Sequence, residues 1–204
     1  MENIPVLPTA YFPDIYYIAT LSRNKSIQIE QWETYPKQTL RNHCYILTGN
    51  GPLQLTVPVS RPQGNHTLTR DILVNHNESW EKRHWRAIVS AYNNSPYFLY
   101  YSDPVQELLK QSNQSLIEFN TRNLQWLMEC FGIECTLTYT ESFTRSTEPL
   151  FTEKATNLRY TKQKTYYQVF STRYGFVPGL SALDLLFNLG PEARYYILEV
   201  SREW

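Results

Sequence analysis

The stretch NESWEKRHWRAIVSAYNNSPYF, residues 77–98, contains the side chains best suited to proton transfer. Its apolar spacing predicts a helix on which His84 is flanked by Trp80 and Trp85. Partial burial and neighbouring cations tune the pKa of an imidazole towards neutrality, which suits a general base. We therefore predict that His84 is a catalytic base. The alternative is a histidine that hydrogen-bonds a neighbour and completes the packing of the helix face.

The other large side chains of this helix are candidates for binding rather than catalysis. Trp80 and Trp85 are five residues apart, so they point to different sides of the helix. One of them at most faces a ligand, and we assign substrate binding to Trp85. Lys82, Arg83 and Arg86 form a basic stripe that can receive phosphates. A solvated outer face is the more common explanation of such a stripe.

Further binding candidates lie near the beginning of the chain. Tyr11 and Tyr16 follow the first predicted strand, and ligands of open α/β folds bind at the carboxyl ends of strands. Arg41 and Asn42 come just before a predicted hairpin, close to the same loop. Paired donors on an arginine and an amide can grip a carboxylate or a phosphate. We predict that these four side chains hold the substrate.

Asp184 is the one acidic residue of the apolar segment LSALDLLFNLG. It can cap its own helix, orient a histidine or accept a hydrogen bond from a sugar hydroxyl, and the sequence leaves these roles open. In the catalytic hypothesis, Asp184 orients His84.

The cysteines favour a structural role and a reducing compartment. Cys44 follows His43, but adjacent residues of a strand project to opposite faces, so His43 cannot activate this thiol. Buried packing is therefore favoured over a thiol nucleophile. Cys44, Cys130 and Cys135 include no Cys-x-x-Cys pair, and the first residues lack the pattern of a secretion signal. We expect a reduced, cytoplasmic protein.

Composition and missing motifs exclude several classes of function. The formal net charge is zero, so no overall field attracts nucleic acid, and no apolar run has the length of a membrane span. The four histidines are scattered and no metal-binding motif is present, so we expect no metal. No glycine-rich phosphate loop occurs, and we expect no cofactor. Sixteen tyrosines suit both a core that contains polar groups and a surface that binds sugars or nucleobases. The expected partner is a small-molecule substrate, while the oligomeric state stays open.

These residues need a scaffold, and the pattern predicts one α/β domain over residues 1–204. The segments IPVLPTAYF, PDIYYIATLSR and SIQIEQ predict a strand, a helix and a strand, which is a βαβ unit. Asn50-Gly51 predicts a tight hairpin because both residues tolerate positive φ. We expect a mixed sheet opened by the βαβ unit, with helices packed on it.

The rest of the chain is predicted to be mainly helical. The predicted elements are helices at about 79–93, 103–111 and 115–131, strands at ECTLTYT and TYYQVF, and a helix between Ser181 and Gly190. Residues 142–165 contain few apolar side chains, so we predict a long or mobile loop there.

Four ordered blocks give the chain a family resemblance. They are AYFPDIYYIATL, YPKQTLRNHCYILTGNGPLQLTVPVSR, SWEKRHWRAIVSAYNNSPYF and YYQVFSTRYGFVPGLSALDLLFNLGPEA. Their order resembles the WbqC-like family of bacterial proteins, over nearly the whole chain. The sequence departs from that family ahead of Tyr11. Many members have Gln-Pro-Asn or His-Gln-Pro there, whereas Pro8, Thr9 and Ala10 stand here.

The resemblance implies a role in surface-polysaccharide assembly, because members lie in O-antigen and related gene clusters. The implied reaction is a transfer of glycine or another acyl group to an amino sugar, with a nucleotide-sugar or amino sugar and an acyl donor as substrates. If the polar group missing ahead of Tyr11 is catalytic, this chemistry does not carry over. The alternative is a noncatalytic protein that binds a glycan precursor or acts as a scaffold.

Overall fold

The computed structural model describes residues 4–37, 39–76, 79–110, 115–145, 160 and 163–203. It confirms the α/β class. The strands are β1 (Val6–Pro8), β2 (Ser26–Glu30), β3 (His43–Thr48), β4 (Gly51–Thr56), β5 (Val59–Ser60), β6 (Leu73–Val74) and β7 (Thr136–Tyr139). The helices are α1 (Ile15–Arg23), α2 (Trp80–Tyr92), α3 (Phe98–Lys110), α4 (Leu116–Phe131), α5 (Ser171–Tyr174), α6 (Ala182–Leu189) and α7 (Ala193–Glu203). Short 3-10 turns lie at Gly64–His66, Thr69–Asp71 and Gly190–Glu192.

The predicted βαβ unit is confirmed by the first three elements. β1 pairs in parallel with β2, with Leu7 opposite Ile29, and β2 pairs in parallel with β7. Helix α1 connects β1 to β2, and Asp14 caps it by accepting a hydrogen bond from the amide of Tyr17 at 2.9 Å. The three-stranded sheet has the order β1-β2-β7, so the carboxyl ends of its strands meet along one edge.

The antiparallel pairs lie outside this parallel sheet. β3 and β4 form the predicted hairpin, in which Thr48 pairs with Gly51. The φ of Gly51 is 99°, a value that favours glycine. β4 ends before Pro58, as its missing N–H requires, and β5 and β6 form a separate short pair. Parallel and antiparallel pairing are thus divided among three described sheets.

The helices cover the sheet and carry most of the apolar core. α1 packs against α7, and α2 packs against both β3 and α3. Ser115 caps α4 through its hydroxyl, and Gly132 ends that helix with a φ of 61°. Ser181 caps α6 in the same way. These capped boundaries match the predicted ones because capping signals are local to the sequence.

Two predicted elements differ from the structure. α3 begins at Phe98 rather than at about 103, because the Phe98 ring packs against Trp85 and Phe187. Pro104 is accommodated within this helix. The segment TYYQVF, residues 165–170, is not a strand. The predicted loop over 142–165 lies largely outside the described residues.

Candidate functional site

The loop after β1 has an unusual backbone. Phe12 has a φ of 37°, and it is the one described residue other than glycine with a positive φ. Its ring is fully buried, and Pro13 follows it. An L-residue adopts this conformation only when the surrounding structure holds it there, and such strained positions cluster at functional sites. The loop lies at the carboxyl edge of the parallel sheet, where ligands of open α/β folds bind.

Tyr11, the residue before Phe12, contacts the predicted base directly. The Tyr11 hydroxyl oxygen lies 2.9 Å from Nδ1 of His84 on α2. The imidazole also hydrogen-bonds the backbone of Thr56. Because this contact raises the pKa of His84, its partner is an acceptor, the Thr56 carbonyl; with Nδ1 facing Tyr11, we assign the ring proton to Nε2. Nδ1 of the neutral ring therefore accepts the Tyr11 proton.

Burial keeps both members of this pair uncharged near neutral pH. The pKa of His84 is lowered to about 4. Burial is the main cause and the Arg83 charge is a smaller one, while the Thr56 hydrogen bond and Glu81 raise the pKa and offset part of the effect. Burial, together with Cys44 and Glu81, raises the pKa of Tyr11 well above its usual value. The ground state is a neutral tyrosine that donates to a neutral imidazole, which is the starting state of a proton relay.

Trp80, rather than Trp85, is the tryptophan beside His84. The ring centroids of Trp80 and His84 are 4.9 Å apart in an edge-on arrangement. Phe119 of α4 completes this wall, 5.8 Å from the Tyr11 ring. Trp85 stacks instead on Phe98, at 6.2 Å between centroids. The sequence signal for Trp80 was its position four residues before His84, on the same helix face.

Arg41 lies near Tyr11 through the backbone, but its guanidinium is already paired. The amide of Tyr11 donates to the carbonyl of Leu40 at 2.9 Å. Nε and Nη2 of Arg41 bind the two carboxylate oxygens of Glu33 at 2.6 and 2.8 Å, and Nη1 binds the Thr39 hydroxyl at 3.1 Å. An incoming carboxylate or phosphate would have to replace Glu33 in this two-point contact.

Asn42 also uses its donor group within the protein. Its side-chain nitrogen donates to the carbonyl of Val57 at 3.0 Å, and its backbone carbonyl accepts from the amide of Val57 at 2.8 Å. Tyr16 is buried, and its ring lies 6.2 Å from that of Tyr160. Of the predicted binding residues, Tyr11, Arg41 and Asn42 are therefore close together, and Tyr16 and Trp85 contact other rings.

Asp184 belongs to a different buried cluster. Its carboxylate accepts from the Tyr166 hydroxyl at 2.7 Å and from the Gln168 side chain at 3.1 Å, and it also bonds Tyr92. Burial raises the pKa of Asp184 to about 6, although the three hydrogen bonds act in the opposite direction and lower it. Tyr92 lies eight residues beyond His84 on α2, about 12 Å along the helix. The structure thus pairs His84 with Tyr11 and not with Asp184.

The remaining candidates are placed as follows. The predicted basic stripe of Lys82, Arg83 and Arg86 is exposed on the outer face of α2. Cys44 is buried, and burial raises the pKa of its thiol. Within the described residues, no three histidine, cysteine or acidic side chains come together as metal ligands.

A set of buried polar side chains between β1 and α4 was not predicted from the sequence. Asn120 donates to the Thr9 hydroxyl at 3.1 Å and to the carbonyl of Arg41 at 2.8 Å. Asn123 lies one turn further along the same inward face and is fully buried. Their signal was the presence of amides on the apolar stripe of a predicted helix. Thr9 supplies a buried oxygen at the position where the sequence departs from the family pattern.

Comparisons with known proteins give one family. The model of a family described as the WbqC-like protein family matches residues 9–150 and 142–196. An uncharacterised protein of Mycobacterium tuberculosis, Rv1507c, is 25% identical over 230 residues, which cover 97% of this chain and 98% of that protein. No solved structure matches the chain significantly. None of the helices in the described ranges has the length and apolarity to cross a membrane.

Proposed function

The chain belongs to the WbqC-like protein family, and from this premise we propose that it is a cytoplasmic transferase of surface-polysaccharide assembly that acylates an amino sugar. The observation that carries the proposal is the 2.9 Å contact between the Tyr11 hydroxyl and Nδ1 of His84. The two residues are far apart in the chain, and they meet beside the strained Phe12 backbone. This loop follows the carboxyl end of β1, the position at which open α/β folds in general bind ligands.

Tyr11 and His84 form a relay that moves the proton released by amide formation. The sugar amine attacks the carbonyl carbon of an activated acyl donor such as a thioester, and the C–N bond forms. Tyr11 accepts a proton from that nitrogen and donates its own proton to Nδ1 of His84. The bond from carbon to the leaving sulfur breaks, and the leaving thiolate takes the proton back from His84 through Tyr11. The products are an amide and a thiol.

The low pKa of His84 is compatible with this step. Attack converts the amine nitrogen into a positively charged centre, which is a much stronger acid than the free amine. A weak base therefore suffices, and the hydrogen bond from Nε2 to the Thr56 carbonyl stabilises the imidazolium that forms. Because Tyr11 and His84 are both buried, substrate binding has to open the structure around the loop after β1.

The second candidate function is noncatalytic binding of a glycan precursor, or a scaffold role. Its supporting observation is that both imidazole nitrogens of His84 already have partners within the protein. A buried neutral histidine with two hydrogen bonds also stabilises a fold without any chemistry. The two candidate functions differ because only the transferase converts its substrates into a product.

Turnover is tested by mixing the purified protein with nucleotide-linked amino sugars, with and without acyl thioesters, while heat release and product mass are followed. The transferase proposal expects that Tyr11→Phe and His84→Gln each lower kcat by about 10²- to 10⁴-fold, the usual contribution of acid-base catalysis. Tyr17→Phe is the matched control, because it removes another buried hydroxyl, which donates to the carbonyl of Pro8 at 2.8 Å. Binding without product in the unchanged protein would refute the transferase and favour the second candidate.

A further inference from the structure

Three buried asparagines, one next to Arg41 in the chain and two on α4, leave side-chain atoms without partners. Asn42, Asn120 and Asn123 are 7%, 1% and 0% exposed. Within the described residues, no hydrogen-bond partner is found for Oδ1 of Asn42, Oδ1 of Asn120, or either polar atom of the Asn123 amide. Buried polar groups of folded proteins are nearly always paired, so several unpaired amides in one place require an explanation.

Neighbouring carbonyls fix the orientation of the Asn42 and Asn120 amides, whereas Asn123 presents both an unpaired oxygen and an unpaired nitrogen. Nδ2 of Asn120 faces the carbonyl of Arg41, and Nδ2 of Asn42 faces the carbonyl of Val57. A backbone carbonyl can only accept, so the nitrogen of each amide must point to it and cannot be exchanged with the oxygen. The unpaired atoms of Asn42 and Asn120 are therefore acceptors.

The three asparagines lie on segments that are in contact with each other. Asn120 bonds the carbonyl of Arg41 at 2.8 Å, and Arg41 is joined to Asn42 by that peptide bond. Asn123 follows Asn120 by three residues on the buried face of α4, about 4.5 Å along the helix axis. Tyr11 is two residues beyond Thr9, which also contacts Asn120. Asn120 thus links the segment that carries the Tyr11 hydroxyl to the segment that carries Asn42.

We propose that Asn42, Asn120 and Asn123 form an acceptor site, the amide site, which binds the primary amine of the amino sugar. This inference rests on the proposed function and names the group that its site recognises. A primary amine offers N–H donors to the carbonyl-type oxygens of the amide site. Neutral amides do not stabilise an ammonium ion as carboxylates do, so the amine keeps the lone pair that it needs for attack.

The free protein is closed over this site. The unpaired atoms are inaccessible to water, so binding must separate the chain at Arg41 and Asn42 from α4. The Tyr11–His84 pair requires an opening in the same region. A ligand that pairs the amides offsets part of the free energy needed for this opening, because each unpaired buried group already destabilises the closed state.

The amide site is tested by calorimetric binding of UDP-linked glucosamine, glucose and N-acetylglucosamine to the intact protein. We expect glucosamine to bind at least 10-fold more tightly than glucose, because only its amine supplies the extra donors. Asn123→Leu and Asn120→Leu should each remove this preference. Asn188→Leu is the matched control, since Asn188 is also buried with an unpaired Oδ1 but lies on α6. It should keep the preference.

A stability measurement separates a binding role from a structural one. Leucine has nearly the shape of asparagine and removes the unpaired amide, so Asn123→Leu should leave the thermal midpoint unchanged or raise it. A fall in the midpoint would indicate that Asn123 supports the fold and would overturn the proposal. Failure of this variant to fold would have the same meaning.

The outcomes distinguish the amide site from the reaction. Selective amine binding that is lost in the Asn123 and Asn120 variants supports the amide site even if no product forms, and in that case only the transferase fails. Equal affinity for the three sugars, no binding at all, or binding unchanged in both variants overturns the amide site, whether or not turnover is seen.

Discussion

His84 and Asp184 should give the protein two opposite dependences of stability on pH. Both are buried, and each has a pKa that differs from its value in an unfolded chain. Each residue is replaced by one that does not titrate, in the variants His84→Gln and Asp184→Asn. Glutamine can still accept from Tyr11 and donate to Thr56, and asparagine nearly preserves the shape of aspartate.

His84 should lose its contribution to stability as the pH falls. Its pKa is lowered from 6.5 to about 4, so between these values the unfolded chain binds a proton that the folded protein does not. Stability is then full above pH 6.5 and decreases towards pH 4. A difference of 2.5 pH units corresponds to about 3 kcal/mol at 1.36 kcal/mol per unit.

Asp184 should act in the opposite direction. Its pKa is raised from 3.8 to about 6, so the folded protein binds a proton more readily than the unfolded chain does. The carboxylate is least favourable above pH 6, and stability is recovered as the pH falls from 6 to 3.8. The difference of 2.2 units again corresponds to about 3 kcal/mol. The two contributions therefore oppose each other in the unchanged protein.

The assay is urea unfolding from pH 4.5 to 7.5 for the unchanged protein, the two single variants and the double variant. Subtracting each variant from the unchanged protein removes the titration of other groups. The His84 difference should fall by up to about 1.4 kcal/mol for each pH unit of acidification, and the Asp184 difference should rise by a similar amount. The reasoning would be refuted if neither difference in the free energy of unfolding changed with pH, or if both changed in the same direction. His84 would then not be a buried neutral imidazole, or Asp184 not an unfavourable buried carboxylate.

Two further predictions concern a glycine and a cysteine. Gly190→Ala should destabilise the fold by about 2–4 kcal/mol, because it combines a φ of 54° with overlap between the new Cβ and the Tyr97 ring. Gly51→Ala should cost about 1 kcal/mol, from its φ of 99° alone, because the new Cβ there meets no atom within 4 Å. Chemical denaturation measures both, and equal losses would contradict this. Cys44 should resist a thiol reagent at pH 8 in the folded protein and react only after unfolding, whereas half-buried Cys135 should react first. Peptide mass analysis locates the modified cysteine, and early modification of Cys44 would contradict its burial.

Much of the fold could be predicted because its signals are local. Asn50-Gly51 specifies a hairpin by its own backbone preferences, and Ser181 caps a helix within its next turn. The start of α3 could not be predicted in this way, since Phe98 becomes helical by packing against Phe187, a residue from the other end of the chain. Residues 165–170 have the composition of a strand, but no described strand pairs with their backbone, and the side chains of Tyr166 and Gln168 bond Asp184.

Part of the candidate site was visible in the sequence, and part was not. The helix period places Trp80 and His84 on one face, so their contact follows from spacing alone. The partner of His84 is Tyr11, which is 73 residues away, and no local pattern identifies such a pair. Asp184 was a reasonable partner by residue type, but the fold brings it to Tyr92, two turns further along α2.

The polarity of the site depends on which groups the fold has already paired. Arg41 and Asn42 are donors by type, and the sequence therefore favours an anionic ligand. In the fold, the guanidinium of Arg41 binds Glu33 at two points and the amide nitrogen of Asn42 binds Val57. The oxygen of Asn42 is left without a partner among the described residues. Because a ligand can pair only with groups that the protein has not paired itself, this part of the molecule is better suited to a donor such as an amine than to a phosphate.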